Sequence, residues 1–374
     1  STFQLNREAP GSLVEKLRNE IRRRVTAGLL RPGDRLPPTR QLADELGVNR
    51  GTVTAAYEEL RTAGVVSGQV GRGTFVSAGL ELETLEREDP VPGRFRWDAH
   101  LAGFEPPREE EALRPVAPGD QNTVSFASNI PDAALFPTEE FRRALNRALE
   151  ESGSLLLSYG DPAGQPRFRE FVRGYLAEQH RVIVRDEEML VVNGSQQAMD
   201  LLARAFLRPG DTVLVEEPSY HGALGLLRGY GARLVGVPVD EEGIRVEDME
   251  SVLARERPKL VYVMPTFQNP TGSCLSEERR DALVRLTARY EVPVVEDDFD
   301  GELYFEQQPP APLKSRPHSE GVIYIGTPSK MLFPALRLGW IAAAEPVVRR
   351  LARIRQIADL SGSPLLQEAL ARFA

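Results

Sequence analysis

From residue 121 onward, short runs of Val, Ile and Leu alternate with helical patterns, and no other feature of the chain constrains its fold as strongly. MLVVNG precedes the helical SQQAMDLLARAFL, and TVLVEEPSY precedes GALGLLRGYG. RLVGVPVD, KLVYVMP, PVVEDDF and GVIYIG are further runs of the same kind. Strand and helix in alternation predict a large α/β domain, a mixed, mostly parallel sheet with helices on both faces. Such sheets bind ligands outside the carboxyl ends of their strands, and the polar motifs of this chain fall at those ends.

The first 78 residues follow another plan. Leu13, Leu17, Ile21 and Val25 repeat at the spacing of one helical face, with Ser12 as N-cap. After the proline-rich RPGDRLPP, Thr39 is expected to cap a helix TRQLADELG with Leu42, Ala43 and Leu46 inward and Gly47 as its stop. Asn49 caps a third helix with Val53, Ala56, Tyr57 and Leu60 inward, stopping at Gly64. VVSGQVGRGTFVS then reads as two short strands around a glycine-rich turn. Three helices and a hairpin make a small winged helix-turn-helix, whose second helix of the pair enters the DNA major groove. Arg50, Thr52 and Thr54 stand at the start of that helix. Arg40 stands at the start of the preceding one, where a phosphate is favoured, and Arg72 lies at the wing tip beside Gly73.

Charge agrees with this division. The whole chain carries a net charge of −9, yet residues 1–78 hold 12 Lys and Arg against 8 Asp and Glu, and the remainder holds 34 against 47. A basic head on an acidic body points to nucleic acid. Between them, residues 79–120 are rich in Pro and Glu without periodicity and read as a tether in which Trp97 and Phe104 dock locally. The body spans 121–374. A single cysteine, Cys274, excludes an internal disulfide, and His100, His180, His221 and His318 are too scattered for a metal site. No run approaches the roughly 20 apolar residues of a membrane span, and the first residues lack the apolar core of a secretory signal. The expectation is a cytoplasmic, metal-free, multidomain protein.

Only four lysines occur, Lys16, Lys259, Lys314 and Lys330. Lys330 follows an apolar run and has Thr327, Ser329 and Arg337 nearby. A lysine in such a place ordinarily makes a surface salt bridge, but a desolvated one condenses with an aldehyde, and hydroxyls with arginine suit a phosphate. The acids of EDDFD are either solvated loop groups or include one aspartate set against a protonated ring nitrogen. VVNGSQQAMD is a strand, a turn and a helix start whose backbone N–H groups, with the Ser195 hydroxyl, suit a phosphate. Tyr220 can stack on an aromatic ring, and Asn269, after KLVYVMP, can donate to a phenolate oxygen.

PGDRLPPTRQLADELGVNRGTVTAAYEELRTAG with GRGTFV resembles the GntR-type winged helix over residues 10–78. In that family the residues matching Arg40, Arg50 and the wing Arg72–Gly73 contact DNA. YGDPAGQPRFREFVRGYL, NGSQQAMD, EEPSYHG, NPTG, EDDFD and SKMLFPALRLGW resemble the fold-type I pyridoxal phosphate aminotransferases over about 124–374. This resemblance implies that Lys330 forms the Schiff base (the internal aldimine) with pyridoxal 5'-phosphate, Asp297 pairs with the pyridine nitrogen and Tyr220 stacks on the ring. Asn269 would contact the ring hydroxyl, Ser195, Gln196, Thr327 and Arg337 the phosphate, and Tyr159 the phosphate of a neighbouring subunit. The two halves together resemble the MocR/GabR transcription regulators, which implies a homodimer on double-stranded DNA with repeated half-sites, sensing an amino compound or pyridoxal phosphate. A working aminotransferase with a DNA-binding head is the competing expectation.

Two departures stand out. Phe299 occupies a position where the family has tyrosine, removing a hydroxyl near the cofactor. The tail SPLLQEALARFA is an amphipathic helix with Leu366, Leu370 and Phe373 on one face, so a truncated body is expected, without the C-terminal subdomain whose arginine binds a substrate carboxylate.

Overall fold

The computed structural model describes residues 11–26, 29–69, 73–77 and 132–373. The tether expected at 79–120, with Trp97 and Phe104, and the wing-tip Arg72 lie outside these residues. The chain divides into two compact units, Ser1–Leu101 and Ala102–Ala374.

In the first unit, α1 (Leu13–Thr26), α2 (Thr39–Leu46) and α3 (Arg50–Thr62) precede a hairpin of β1 (Val66–Gln69) and β2 (Gly73–Val76). Ser12 and Glu15 cap α1 reciprocally: the Ser12 hydroxyl accepts from the Glu15 amide at 3.2 Å and Glu15 accepts from the Ser12 amide at 2.6 Å. Leu17, Ile21 and Val25 are buried, whereas Leu13, in the first turn, is 41% exposed. Thr39 is not the cap of α2. Pro38 takes that position without a side-chain bond and Thr39 is the first helical residue. Asn49 caps α3 as expected, accepting from the Gly51 amide at 2.8 Å, and α3 ends at Thr62, just short of Gly64. Val53, Ala56, Tyr57 and Leu60 face the core. The Tyr57 hydroxyl donates to the Pro37 carbonyl at 2.8 Å, tying α3 to the proline-rich turn. The same turn holds the hairpin, since Leu36 donates to Thr74 and Val76 to Asp34.

The second unit contains α4 (Thr138–Ser152), α5 (Pro166–His180), β3 (Met189–Val192), α6 (Ser195–Phe206), β4 (Thr212–Glu217), α7 (His221–Gly229), β5 (Arg233–Asp240), β6 (Gly243–Ile244), α8 (Val246–Glu256), β7 (Leu260–Val263), α9 (Glu277–Arg289), β8 (Val294–Asp298), β9 (Val322–Gly326), β10 (Gly339–Ala342), α10 (Glu345–Asp359) and α11 (Pro364–Phe373). The sheet order is β3-β10-β9-β8-β7-β4-β5-β6. Strands β5, β4, β7, β8 and β9 are mutually parallel; β10 runs against both neighbours, and β6 runs against β5. Neither β6 nor β10 is among the runs read from the sequence.

The sheet is buried on both faces, as continuous apolar runs require. On one face Val192, Val215, Tyr262, Val295, Ile325 and Ile341 pack with α6, α7 and α10. On the other, Val261, Val294 and Val322 pack with α8 and α9, and Met189, Tyr324 and Trp340 pack with α5 and α11. Of the tail's expected face, Leu370 is buried and Leu366 and Phe373 are half-buried against the same cluster. Among the described residues no helix is long and apolar enough to cross a membrane.

Candidate functional site

Strand alternation sets the acids of β8 on opposite faces. Asp297 faces the side of Tyr262 and α7, is 4% exposed, and accepts from the Tyr262 hydroxyl at 2.8 Å through Oδ2. Its Oδ1 is buried without a hydrogen-bond partner among the described residues. Burial raises the Asp297 pKa to about 6; the Tyr262 bond lowers it and the neighbouring Asp298 charge raises it further. A buried carboxylate oxygen without a donor carries a desolvation cost that an N–H in that place would relieve.

The turn after β3 begins α6 at Ser195, with Gly194 as N-cap at φ +86. Asn193 donates its amide to Gln197 Oε1 at 2.7 Å. The Arg337 guanidinium lies across this turn and donates to the Asn193 carbonyl at 2.9 Å. A Cβ on Gly194 would sit 2.8 Å from Arg337 Nη2, so glycine is what lets the guanidinium lie there. Gly339 backs the same turn: a Cβ there would stand 2.9 Å from the Gly326 carbonyl oxygen and 3.1 Å from Gly194 Cα. Thr327, at the end of β9, donates to the Leu338 carbonyl at 2.8 Å and shares a 2.8 Å bond with the Ser329 hydroxyl. A helix N-terminus, a guanidinium and hydroxyls at the ends of β3 and β9 form a donor set suited to a phosphate.

Lys330 follows in the turn after β9, half-buried. Burial lowers its pKa, against the pull of Asp300, which favours the neutral, nucleophilic amine. Tyr220 is the N-cap residue of α7 and is half-buried, its pKa raised by burial and then by Asp297. Asn269 is half-buried in the loop after β7. Phe299 packs against the cluster that contains Tyr262 and α7. Gln196 is exposed on the first turn of α6, and Tyr159 is 81% exposed.

Several supporting residues carry no motif. Tyr262 is one. Glu216 is another: 2% exposed, it accepts from Gln268 Nε2 at 3.1 Å and from the Met264 amide at 3.2 Å. Gln268 also donates to the Pro218 carbonyl at 2.7 Å. This network ties the Tyr220 loop to the Asn269 loop, and burial raises the Glu216 pKa to about 8. A glutamate inside the apolar TVLVEE was the available signal.

In the first unit Arg40 and Arg50 are exposed in the first turns of α2 and α3, and Thr52 is half-buried. Thr54 is exposed, with its hydroxyl donating to the Arg50 carbonyl at 3.0 Å. Gly73 takes φ +117, and the Arg35 side chain lies where its Cβ would be.

Residues 121–374 match the aminotransferase class I and II family, and residues 13–76 match the gntR family of bacterial regulatory proteins. The HTH-type transcriptional regulator YisV of Bacillus subtilis is 33% identical over 375 residues, covering 100% of this chain and 76% of its own length. The probable rhizopine catabolism regulatory protein MocR of Rhizobium meliloti is 34% identical, covering 99% of this chain and 73% of its own. Among solved structures, the α-aminoadipate aminotransferase LysN of Thermus thermophilus, complexed with N-(5'-phosphopyridoxyl)-L-leucine, gives a TM-score of 0.62 at 38% identity. That match takes in 65% of this chain and 62% of the other, so this chain spans less than two thirds of that structure. A winged-helix head and an aminotransferase-type body together define a class of DNA-binding regulator. The chain belongs to the aminotransferase class I and II family and carries a gntR-family head, the composition of MocR-type transcriptional regulators.

Proposed function

We propose that this protein is a cytoplasmic regulator whose body binds pyridoxal phosphate and an amino compound, and whose head, residues 1–78, binds operator DNA and is joined to the body by the tether 79–120. The carrying observation is Asp297: a buried carboxylate with one oxygen held by Tyr262 and the other lacking a donor. That oxygen receives the protonated ring nitrogen. Lys330 supplies the amine for the aldehyde, Tyr220 covers the ring and Asn269 donates to its hydroxyl. The Ser195 and Gln196 backbone, Thr327 and Arg337 hold the phosphate. Bound pyridoxal phosphate supplies an aldehyde that condenses with primary amines and a ring that withdraws electrons.

Tyr159 reaches the phosphate site of a second copy. Leu155, Leu157 and Tyr159 are all exposed, an apolar strip suited to a partner body. A two-fold dimer presents two heads to repeated half-sites, where Arg40, Arg50, Thr52, Thr54, Arg72 and Gly73 meet the DNA. An amine that binds one arrangement of the bodies better than another shifts the population of DNA-competent dimers.

The test is an absorbance titration of the full chain with pyridoxal phosphate and then with amino acids. Binding to DNA selected from a random-sequence pool is followed in parallel. A spectral change accompanied by altered DNA affinity supports the sensor. Product formation with unaltered DNA affinity favours a working aminotransferase, and no cofactor band overturns the assignment of the body.

A further inference from the structure

Behind Asp297 lies a second buried acid that the proposed function leaves unused. Asp298 is 8% exposed and faces the reverse side of the sheet. Its Oδ2 accepts from the Tyr324 hydroxyl at 2.7 Å, and its Oδ1 has no hydrogen-bond partner among the described residues. His180, the last residue of α5, stands with Nδ1 3.8 Å from Asp298 Oδ2 and Nε2 2.8 Å from Glu302 Oε1. Tyr175 donates to the same Glu302 oxygen at 2.5 Å, and its own oxygen lies 3.0 Å from His180 Nε2. The imidazole therefore bridges two carboxylates. A cavity of about 270 Å³, lined by His180, Asp298, Glu302, Gln179, Arg181 and Tyr304 among others, adjoins it.

Asp297 and Asp298 are consecutive buried acids, and an anion on one opposes ionisation of the other. A cation beside Asp298 cancels that field with little reach beyond it, because opposite charges a few ångströms apart act on a third group as a dipole. We propose that His180 is a positioning residue: held between Asp298 and Glu302 on the reverse face of the sheet, its imidazolium neutralises Asp298 and so keeps Asp297 ionised for the ring nitrogen. This rests on the assignment of Asp297 to that nitrogen. The charges around His180 favour the imidazolium. Burial opposes it, but Glu302 and Asp298, aided by Glu296, outweigh burial and raise its pKa. The remaining groups facing it are Tyr175 on its own helix and Tyr324 on β9, with Arg280 of α9 acting on Asp298, and Arg181 and Glu277 on the cavity wall.

The experiment measures pyridoxal phosphate binding by the full chain as a function of pH, by cofactor absorbance, for wild type, His180→Gln, Asp298→Asn and the double variant. In His180→Gln the acid limb of binding should move alkaline by about one pH unit. Asp298→Asn should move it the other way, because the imidazolium still held by Glu302 is then uncompensated, and the double variant should return close to wild type, since both opposed charges are gone. An unmoved limb in a cooperatively melting His180→Gln protein overturns the proposal, as does a double variant that keeps the full His180→Gln displacement. Should His180→Gln fail to fold, Glu302→Gln acts on the imidazole from the cavity side. It should move the limb in the same direction, and no movement overturns the proposal. Asp297→Asn separates the two levels: an acid limb that survives in Asp297→Asn removes the underlying assignment of Asp297, whatever His180 does.

Discussion

The Tyr262 hydroxyl donates to Asp297 Oδ2 at 2.8 Å, across from β7 to β8, and leaves Oδ1 as the oxygen still in need of a donor. The relationship divides one carboxylate into a structural half and a receiving half. It also opposes burial, which alone pushes Asp297 toward its neutral form.

Tyr262→Phe should therefore weaken pyridoxal phosphate binding. A hydrogen bond to a charged group contributes roughly 1.5–3 kcal/mol, so the affinity should fall by about tenfold or more. The loss should be larger on the acid side, where Asp297 without its hydroxyl donor protonates sooner. Absorbance titration at two pH values checks this, and equal affinity to wild type at both would count against it.

Glu216 gives a pH prediction for the cofactor-free protein. Its pKa is raised from 4.5 to about 8, by burial first. A carboxyl raised on folding stabilises below its unfolded value, and that contribution is lost as pH rises through the folded one. Glu216→Gln keeps a side chain able to accept from the Met264 amide and has no proton to lose. Thermal melts should show the variant's advantage over wild type growing from weakly acid to about pH 8. A constant difference across that window would refute the burial argument.

Gly194→Ala should damage stability and cofactor binding together. Its φ of +86 disfavours any Cβ, and the added carbon would meet Arg337 Nη2 at 2.8 Å. The backbone strain alone costs on the order of 1–3 kcal/mol. Chemical denaturation and inorganic phosphate competition against pyridoxal phosphate are the two measurements. A variant with wild-type values in both would show that the guanidinium yields freely.

The head separates reading from holding. Arg50→Ala should cost roughly 1–3 kcal/mol on the selected DNA and relax its sequence preference, whereas Arg40→Ala should weaken all DNA alike and flatten the salt dependence. Binding to selected and scrambled duplexes at several salt concentrations distinguishes them. Equal losses on both duplexes for Arg50→Ala would make it a phosphate contact.

Much of this was legible because it is local. The inward residues of α3, its Asn49 cap and the apolar runs of β3, β4, β5, β7, β8 and β9 are each set by neighbours in sequence. Where two local signals compete, sequence misplaces the cap: Pro38, not Thr39, holds the N-cap position of α2. Strand β10 escaped because Gly339 and Trp340 dilute a run of only four residues. Motif residues at strand ends were visible; their supports were not. Tyr262 reaches Asp297 only because parallel pairing sets Tyr262 beside Val295, and His180 meets Asp298 only because α5 covers the reverse face. Register and helix placement are properties of the assembled sheet, which no window of sequence contains.

Gly194, Gly326 and Gly339 come together with main chain against main chain. A seat made this way is set first by main chain, with the Arg337 guanidinium laid across it. Side chains around its rim can be exchanged over evolutionary time, changing which small molecule is admitted, while the anchor point stays where it was.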